Sequence, residues 1–303
     1  MAITTQQKEE RGRWIGSSDV AALLGLSPWR NVYDVWLEKT NRLEPQPPAE
    51  GAMEDGIIFE PGILTWAEKR LGPLEKNPKN LWFKDEAIRI ISHPDAIVVA
   101  TGEPVEAKTS GLRGPLPPGW GEPETDQIPD YYLVQAQVHV MLSKKDLCHV
   151  PAYLGGRGPT MFRVNRNESL QQFIGERVGE FWAEYVKKDI PPPDVVPHLE
   201  TAKRMIRQVG KLVAVDPRIV ERARAARLAK SITEKTSEEA DAALIAALGD
   251  AEGTEDGSVS YFRQERKGLD LKQLKVNHPE LWQQFPQDSI YRVLRFKKEK
   301  SNG

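Results

Sequence analysis

The stretch His93-Pro94-Asp95-Ala96-Ile97-Val98-Val99-Ala100-Thr101-Gly102-Glu103-Pro104-Val105-Glu106-Ala107-Lys108 places an acid before one branched run and an acid–lysine pair after another. Ala96–Val99 and Val105–Lys108 read as short strands. Alternation along a strand puts Glu106 and Lys108 on one face, with Ala107 pointing away. Asp95 stands at the edge of the neighbouring strand, so a hairpin brings the two carboxylates together. Two carboxylates and a main-chain carbonyl make a hard-oxygen site suited to Mg²⁺ or Mn²⁺. A nearby lysine can orient or deprotonate an attacking water and stabilise charge on a phosphate. The same residues also fit an ordinary sheet, with Asp95 ending a turn and Glu106 paired with Lys108 on a solvated face. Spacing alone leaves both readings open.

Other segments bear on the choice. Ala52 to Leu71 reads as a long helix ending at Gly72. Glu60 lies on it amid Ile57, Ile58, Phe59 and Ile63, at the edge of the expected buried face. A carboxylate there is costly unless paired or bound to metal. A helix from Pro129 to Leu142 carries Gln135 and Gln137. The two fall about 200° apart around the axis, so only one can face the sheet. Ser17 or Ser18 can cap a short helix through Leu24, with Arg11 just upstream. A helix N-terminus beside an arginine binds phosphate readily, though a plain cap and a solvated charge explain the residues equally well.

The remaining pattern predicts a helix over Asn31–Lys39 and strands over Ile88–Ser92, Leu147–Leu154 and Met161–Val164. A helix over Glu168–Lys187 closes the series. This order predicts an α/β fold with a central mixed sheet flanked by helices. The run Asp189-Ile190-Pro191-Pro192-Pro193-Asp194-Val195-Val196-Pro197 predicts a boundary, because consecutive prolines favour an extended spacer. Residues 1–190 then form the main domain, 191–197 a linker and 198–303 an α+β extension. Within the extension, 216–248 predicts a helical hairpin broken near Ser231–Thr236. Paired strands are expected at Val259–Gln264 and Tyr291–Phe296, with a helix over Asp270–Phe285 between them.

Composition excludes some classes. The net charge of −2 gives no general pull on nucleic acid. The first 197 residues carry a net −6 and the rest a net +4; if DNA is the substrate, the first part must grip it locally and the extension can assist. Its candidate contacts are Arg263, Arg266, Lys267, Arg292 and Arg295; a packing module is the alternative. One cysteine, Cys148, excludes an internal disulfide and fits a cytoplasmic setting. No run approaches the roughly 18 apolar residues of a membrane span, and residues 1–13 lack a secretory signal pattern.

Taken together, several segments resemble the YqaJ-like viral recombinases, lambda-exonuclease-type phage nucleases of the PD-(D/E)XK superfamily. The matching pieces are Arg11 to Gly25, Ser27-Pro-Trp-Arg30, Gly56-Ile-Ile-Phe-Glu60, His93-Pro-Asp95, Val105 to Ser110 and Gln135-Ala-Gln137. They occur in the family's order. The resemblance implies a restriction-endonuclease-like core. It also implies that Asp95, Glu106 and the Ala107 carbonyl hold a Mg²⁺ or Mn²⁺ ion, with Glu60 completing or supporting the site. Lys108 would position the water and Gln137 contribute to the active centre. Arg11 and Ser18 would receive a terminal 5′-phosphate, with His93 and Gln135 near the DNA. Two departures stand out: His93 replaces a serine before Pro-Asp, and Ala96 replaces the usual following glycine.

The activity so implied is 5′→3′ digestion of linear duplex DNA ends in phage-type recombination. A trimer and a single-strand-annealing partner protein are further expectations. An endonuclease with the same centre, or an end-binding scaffold with a vestigial one, are the rival readings.

Overall fold

The structure is a computed structural model that describes residues 12–78, 82–265, 271–280 and 294. It divides into two units, the first ending at Arg207 and the second beginning at Gln208.

The first unit opens with β1 (Ile15–Gly16), a 3₁₀ turn over Ser17–Asp19, α1 (Val20–Leu23) and α2 (Val32–Lys39). Asn31 caps α2 by accepting the Tyr33 and Asp34 N–H groups, and Asp34 accepts the Asn31 N–H in return. After α3 (Ala52–Leu71) come β2 (Leu74–Lys76), β3 (Phe83–Asp85), β4 (Ile90–Ser92), β5 (Ala96–Val98), β6 (Pro104–Val105) and β7 (Lys108–Ser110). Then follow α4 (Asp130–Ser143), β8 (Leu147–Leu154), β9 (Gly158–Asn165), α5 (Glu168–Glu180) with a π turn over Phe181–Val186, and α6 (Leu199–Lys203).

A small sheet has the order β1-β4-β3. The large sheet is mixed: β2, β5 and β6 run antiparallel in turn, β6 and β7 lie parallel to β8, and β9 returns antiparallel. Val105 pairs with His149 and Lys108 with Ala152, the same offset, so β6 and β7 are one strand interrupted at Glu106–Ala107. The mixed sheet flanked by helices is the architecture that the sequence pattern predicts.

Three apolar clusters hold it. Leu64 and Ala67 of α3 cover Leu74, Ala96, Val98 and Val105 on one face of the large sheet. Ala136 and Val140 of α4 pack on Cys148, Val150, Ala152 and Phe162. Val134 and Val138, on the opposite face of α4, meet Ile15, Val20, Trp36, Ile90 and Phe181. Helix α4 is therefore enclosed on several sides, which is why it is apolar nearly all round.

Several expectations are corrected. The proline run does not end the first unit. Asn31 Nδ2 donates to Val196 O, His198 Nδ1 lies 2.6 Å from Asp34 Oδ2, and Ile206 N donates to Arg42 O. The first half of α3 is not buried: Ile58 is 63% exposed and Phe59 40%, and core contact starts at Ile63. The short strands β1, β2 and β3 carry too few apolar residues to stand out from loops.

In the second unit the expected hairpin is one helix, α7 (Pro217–Leu248). Thr233 and Thr236 return their hydroxyls to the carbonyls of Ala229 and Ile232, so they are absorbed into the helix instead of breaking it. Val259–Gln264 forms only an isolated bridge, Ser260 to Gly253. Of the helix expected over 270–285, α8 (Leu271–Asn277) is described. The strand expected at 291–296 lies outside the described residues, Leu294 apart, as do Arg266, Lys267, Arg292 and Arg295. Arg263 pairs with Glu265 on the surface.

Candidate active site

The break between β6 and β7 builds the centre. Glu106 N still donates to His149 O at 2.9 Å, continuing the ladder. Ala107 N instead donates to Asp95 Oδ2 at 2.8 Å, so the carboxylate just before β5 is tied to the interrupted strand. Val105 and Ala107 face the α3 cluster, and Glu106 and Lys108 face α4. Lys108 Nζ lies 2.7 Å from Glu106 Oε1 and 2.9 Å from Gln135 Oε1, and 4.8 Å from the centre of the Tyr132 ring.

Gln135 is the glutamine at this centre: its Nε2 donates to Glu106 Oε1 at 2.5 Å. The placement of Gln137 in the centre is corrected. Its Nε2 donates to Asn165 O, and its Oε1 accepts from Asn167 N and Gln171 Nε2. It locks the corner between β9 and α5, as the angular separation of the two amides requires. His139, one turn beyond Gln135, was not foreseen. Its Nε2 lies 3.1 Å from Glu106 Oε2 and its Nδ1 2.6 Å from Ser92 Oγ, with both residues buried. A histidine in an apolar run reads as core, and only i, i+4 spacing from Gln135 signals the shared face.

Glu60 is half-buried, and Asn77 ties it to the centre. The Asn77 side chain donates to Glu60 Oε1 at 3.1 Å, and its N–H donates to Asp95 O at 2.7 Å. Asn77 adopts a left-handed φ of 48°, which asparagine tolerates better than most residues. No pattern around Asn77 announces this. Ser18 is exposed in the 3₁₀ turn and caps nothing there; Asp19 accepts the Gly16 N–H instead. His93 Nε2 lies 3.1 Å from Pro78 O and its ring 4.8 Å from Trp82, so it is engaged with that loop. Arg11 lies outside the described residues.

The electrostatics separate the two carboxylates. Desolvation and then the Glu106 charge push Asp95 well above the usual carboxylate range, with Glu60 adding to the effect and Lys108 opposing it. Desolvation also acts on Glu106, but Lys108 and His139 outweigh it and hold this carboxyl at about 2. Lys108 loses to burial yet is raised overall by Glu106 and Asp95. Among the described residues no three His, Cys, Asp or Glu side chains converge as a preformed cage. Glu106 Oε2 is nevertheless buried without a well-aligned hydrogen bond, His139 being close but off line. Two buried carboxyls that oppose each other and an under-satisfied carboxylate oxygen fit a hard cation that keeps much of its water shell. Asp95 and Glu106 are the residues that could hold it.

Glu60, Asn77, Asp95, Glu106, Lys108, Gln135 and His139 fall inside one stretch of likeness: residues 6–146 match the YqaJ-like viral recombinase domain. That segment belongs to the YqaJ-like viral recombinase family. The YqaJ-like domain thus carries β1 to α4 and ends before β8. The uncharacterized protein YqaJ of Bacillus subtilis (strain 168) is 26% identical over 179 residues, which are 58% of this chain and 54% of that protein. The chain therefore spans about half the length of this relative. Among solved structures, the alkaline exonuclease LHK-Exo from Laribacter hongkongensis is similar with a TM-score of 0.46 and 17% identity. The match covers 61% of this chain and 94% of that one. A phage related exonuclease from Haemophilus somnus 129PT gives 0.45 and 14%, covering 58% and 96%.

Proposed function

We propose that the chain is a divalent-metal-dependent deoxyribonuclease that digests linear duplex DNA from its ends in the 5′→3′ direction, in phage-type recombination. The observation that carries the chemistry is the Glu106–Lys108 pair on the broken strand, with Asp95 bound to the break. A family named for viral recombination supports DNA as the substrate. The polarity rests on the resemblance of the Arg11–Ser18 segment to a 5′-phosphate pocket.

In this reading Asp95, Glu106 and the Ala107 carbonyl hold Mg²⁺ or Mn²⁺, and Glu60 supports them through Asn77. The bound ion supplies Lewis acidity towards the phosphate and a more acidic water. Lys108 holds the water and offsets charge developing on the phosphate. Gln135 takes the role first expected of Gln137: it fixes Lys108 Nζ and Glu106 Oε1 relative to each other.

The test compares linear 5′-phosphorylated, linear 5′-hydroxyl and closed circular duplex, each with Mg²⁺, Mn²⁺ or EDTA. The expected result is nucleotide release from linear 5′-phosphorylated duplex only, abolished by EDTA and by Lys108→Met. Equal cutting of closed circles would make it an endonuclease. Inactivity on every end would leave a DNA-end-binding scaffold.

A further inference from the structure

Two buried polar groups under the centre form a chain that joins the two sheets. Ser92 ends β4 in the small sheet, and His139 lies in the middle of α4. Ser92 Oγ and His139 Nδ1 are 2.6 Å apart, and His139 Nε2 is 3.1 Å from Glu106 Oε2. His139 is fully buried and Ser92 is 1% exposed, so water does not compete for these contacts.

The proton placement follows from the partners. An ionised carboxylate oxygen only accepts, so Nε2 beside Glu106 must carry hydrogen. In the neutral ring Nδ1 is then the acceptor, and the Ser92 hydroxyl must donate to it. On its other oxygen Glu106 already receives Lys108 and Gln135. Among the described residues His139 is the neighbour of Oε2, and it approaches off the line of a good hydrogen bond. That leaves the Oε2 acceptor capacity partly unused while the imidazole limits how the carboxylate turns.

We infer that His139, oriented by Ser92, is a positioning residue that sets the rotation of Glu106 for divalent-cation binding. The inference rests on the metal reading above. Partners that orient ligating carboxylates typically alter metal affinity about 10- to 100-fold when removed.

The experiment is Mn²⁺ titration of the full chain by calorimetry, with no DNA present, for wild type, His139→Leu, His139→Gln, Ser92→Ala and Glu106→Gln. Thermal melts of each variant in EDTA accompany it. His139→Leu should weaken Mn²⁺ binding by roughly tenfold or more. His139→Gln, which can present an N–H in place of Nε2, should recover most of that loss. Ser92→Ala should give a smaller loss in the same direction. Unchanged Mn²⁺ affinity in His139→Leu, alongside loss of binding in Glu106→Gln, would overturn this inference alone. Binding indifferent to Glu106→Gln, or absent from wild type, would overturn the metal reading and this inference with it. If His139→Leu does not fold, Ser92→Ala decides: unchanged affinity there overturns the role, and weakened affinity supports it.

Discussion

Lys108 Nζ lies 2.7 Å from Glu106 Oε1, an ion pair made across one intervening residue and nearly closed to water, with 13% and 7% of the side chains exposed. Removing one partner of such a pair strands the other charge at a cost of about 3 kcal/mol or more. Removing both avoids that penalty. Glu106→Gln and Lys108→Met should therefore each destabilise the protein in EDTA more than the double variant does relative to either background. A urea-denaturation cycle measures this coupling. Additive losses would mean the contact carries no net interaction. All three variants should be inactive on DNA.

Gln135 and Gln137 should fail in different ways. Gln137 is buried with both ends of its amide bonded. Gln137→Ala leaves the Asn165 carbonyl and the Asn167 N–H without this partner, costing about 2 kcal/mol. Gln135→Ala should stay within about 1 kcal/mol of wild type yet lower the turnover rate by at least tenfold. Melting temperatures and initial rates, measured on the same preparations, separate the two. A pure stability defect in Gln135→Ala would remove it from the centre.

Where the sequence was legible, one local rule decided the element. Gly72 and Asn31 marked the C-terminal end of α3 and the start of α2, and branched runs marked β5 and β8. The Asp95–Glu106–Lys108 set was visible because strand alternation and a hairpin suffice to place it. Ser92, Asn77 and His139 were not visible, since each acts through a partner at least 17 residues away in sequence. The choice between Gln135 and Gln137 needed the rotation of α4, which packing on two clusters sets and no local pattern encodes. The unbroken α7 escaped for the opposite reason: Ser231, Thr233 and Thr236 are weak helix formers, yet the Thr233 and Thr236 hydroxyls bond one turn back.

Gly155 guards the far end of the interrupted strand. Its N–H donates to Ser110 O at 2.8 Å, and a Cβ there would lie 2.0 Å from the Gly111 carbonyl oxygen. Backbone on both sides leaves no flexible side chain to yield. Gly155→Ala should cost about 2 kcal/mol through overpacking and shift β7, which carries Lys108. Activity should then fall beyond what the lost folded fraction explains. Full specific activity in the folded fraction would show that β7 is not displaced.

Asp95 sets the sign of a pH effect on the metal-free protein. Its carboxyl is raised above 3.8 in the folded state by desolvation and by Glu106. Protonated Asp95 therefore favours folding: its contribution is complete below 3.8 and is lost as pH rises through the raised folded value. Glu106 behaves oppositely. Held at about 2 against 4.5, it contributes fully above 4.5 and loses that contribution as pH falls towards 2. Asp95→Asn keeps an oxygen to accept the Ala107 N–H while removing the charge. In EDTA it should be more stable than wild type at pH 8, and the difference should close as pH falls through the raised Asp95 range. Glu106→Gln should be less stable than wild type at pH 8, and that gap should narrow between 4.5 and 2. Saturating Mn²⁺ at pH 8 should stabilise wild type far more than Asp95→Asn, because an ion that binds only the folded state adds its binding free energy to stability. Chemical denaturation across pH, with and without Mn²⁺, reads all three. A less stable Asp95→Asn at pH 8 in EDTA would show that Lys108 and the Ala107 N–H outweigh the buried like charges.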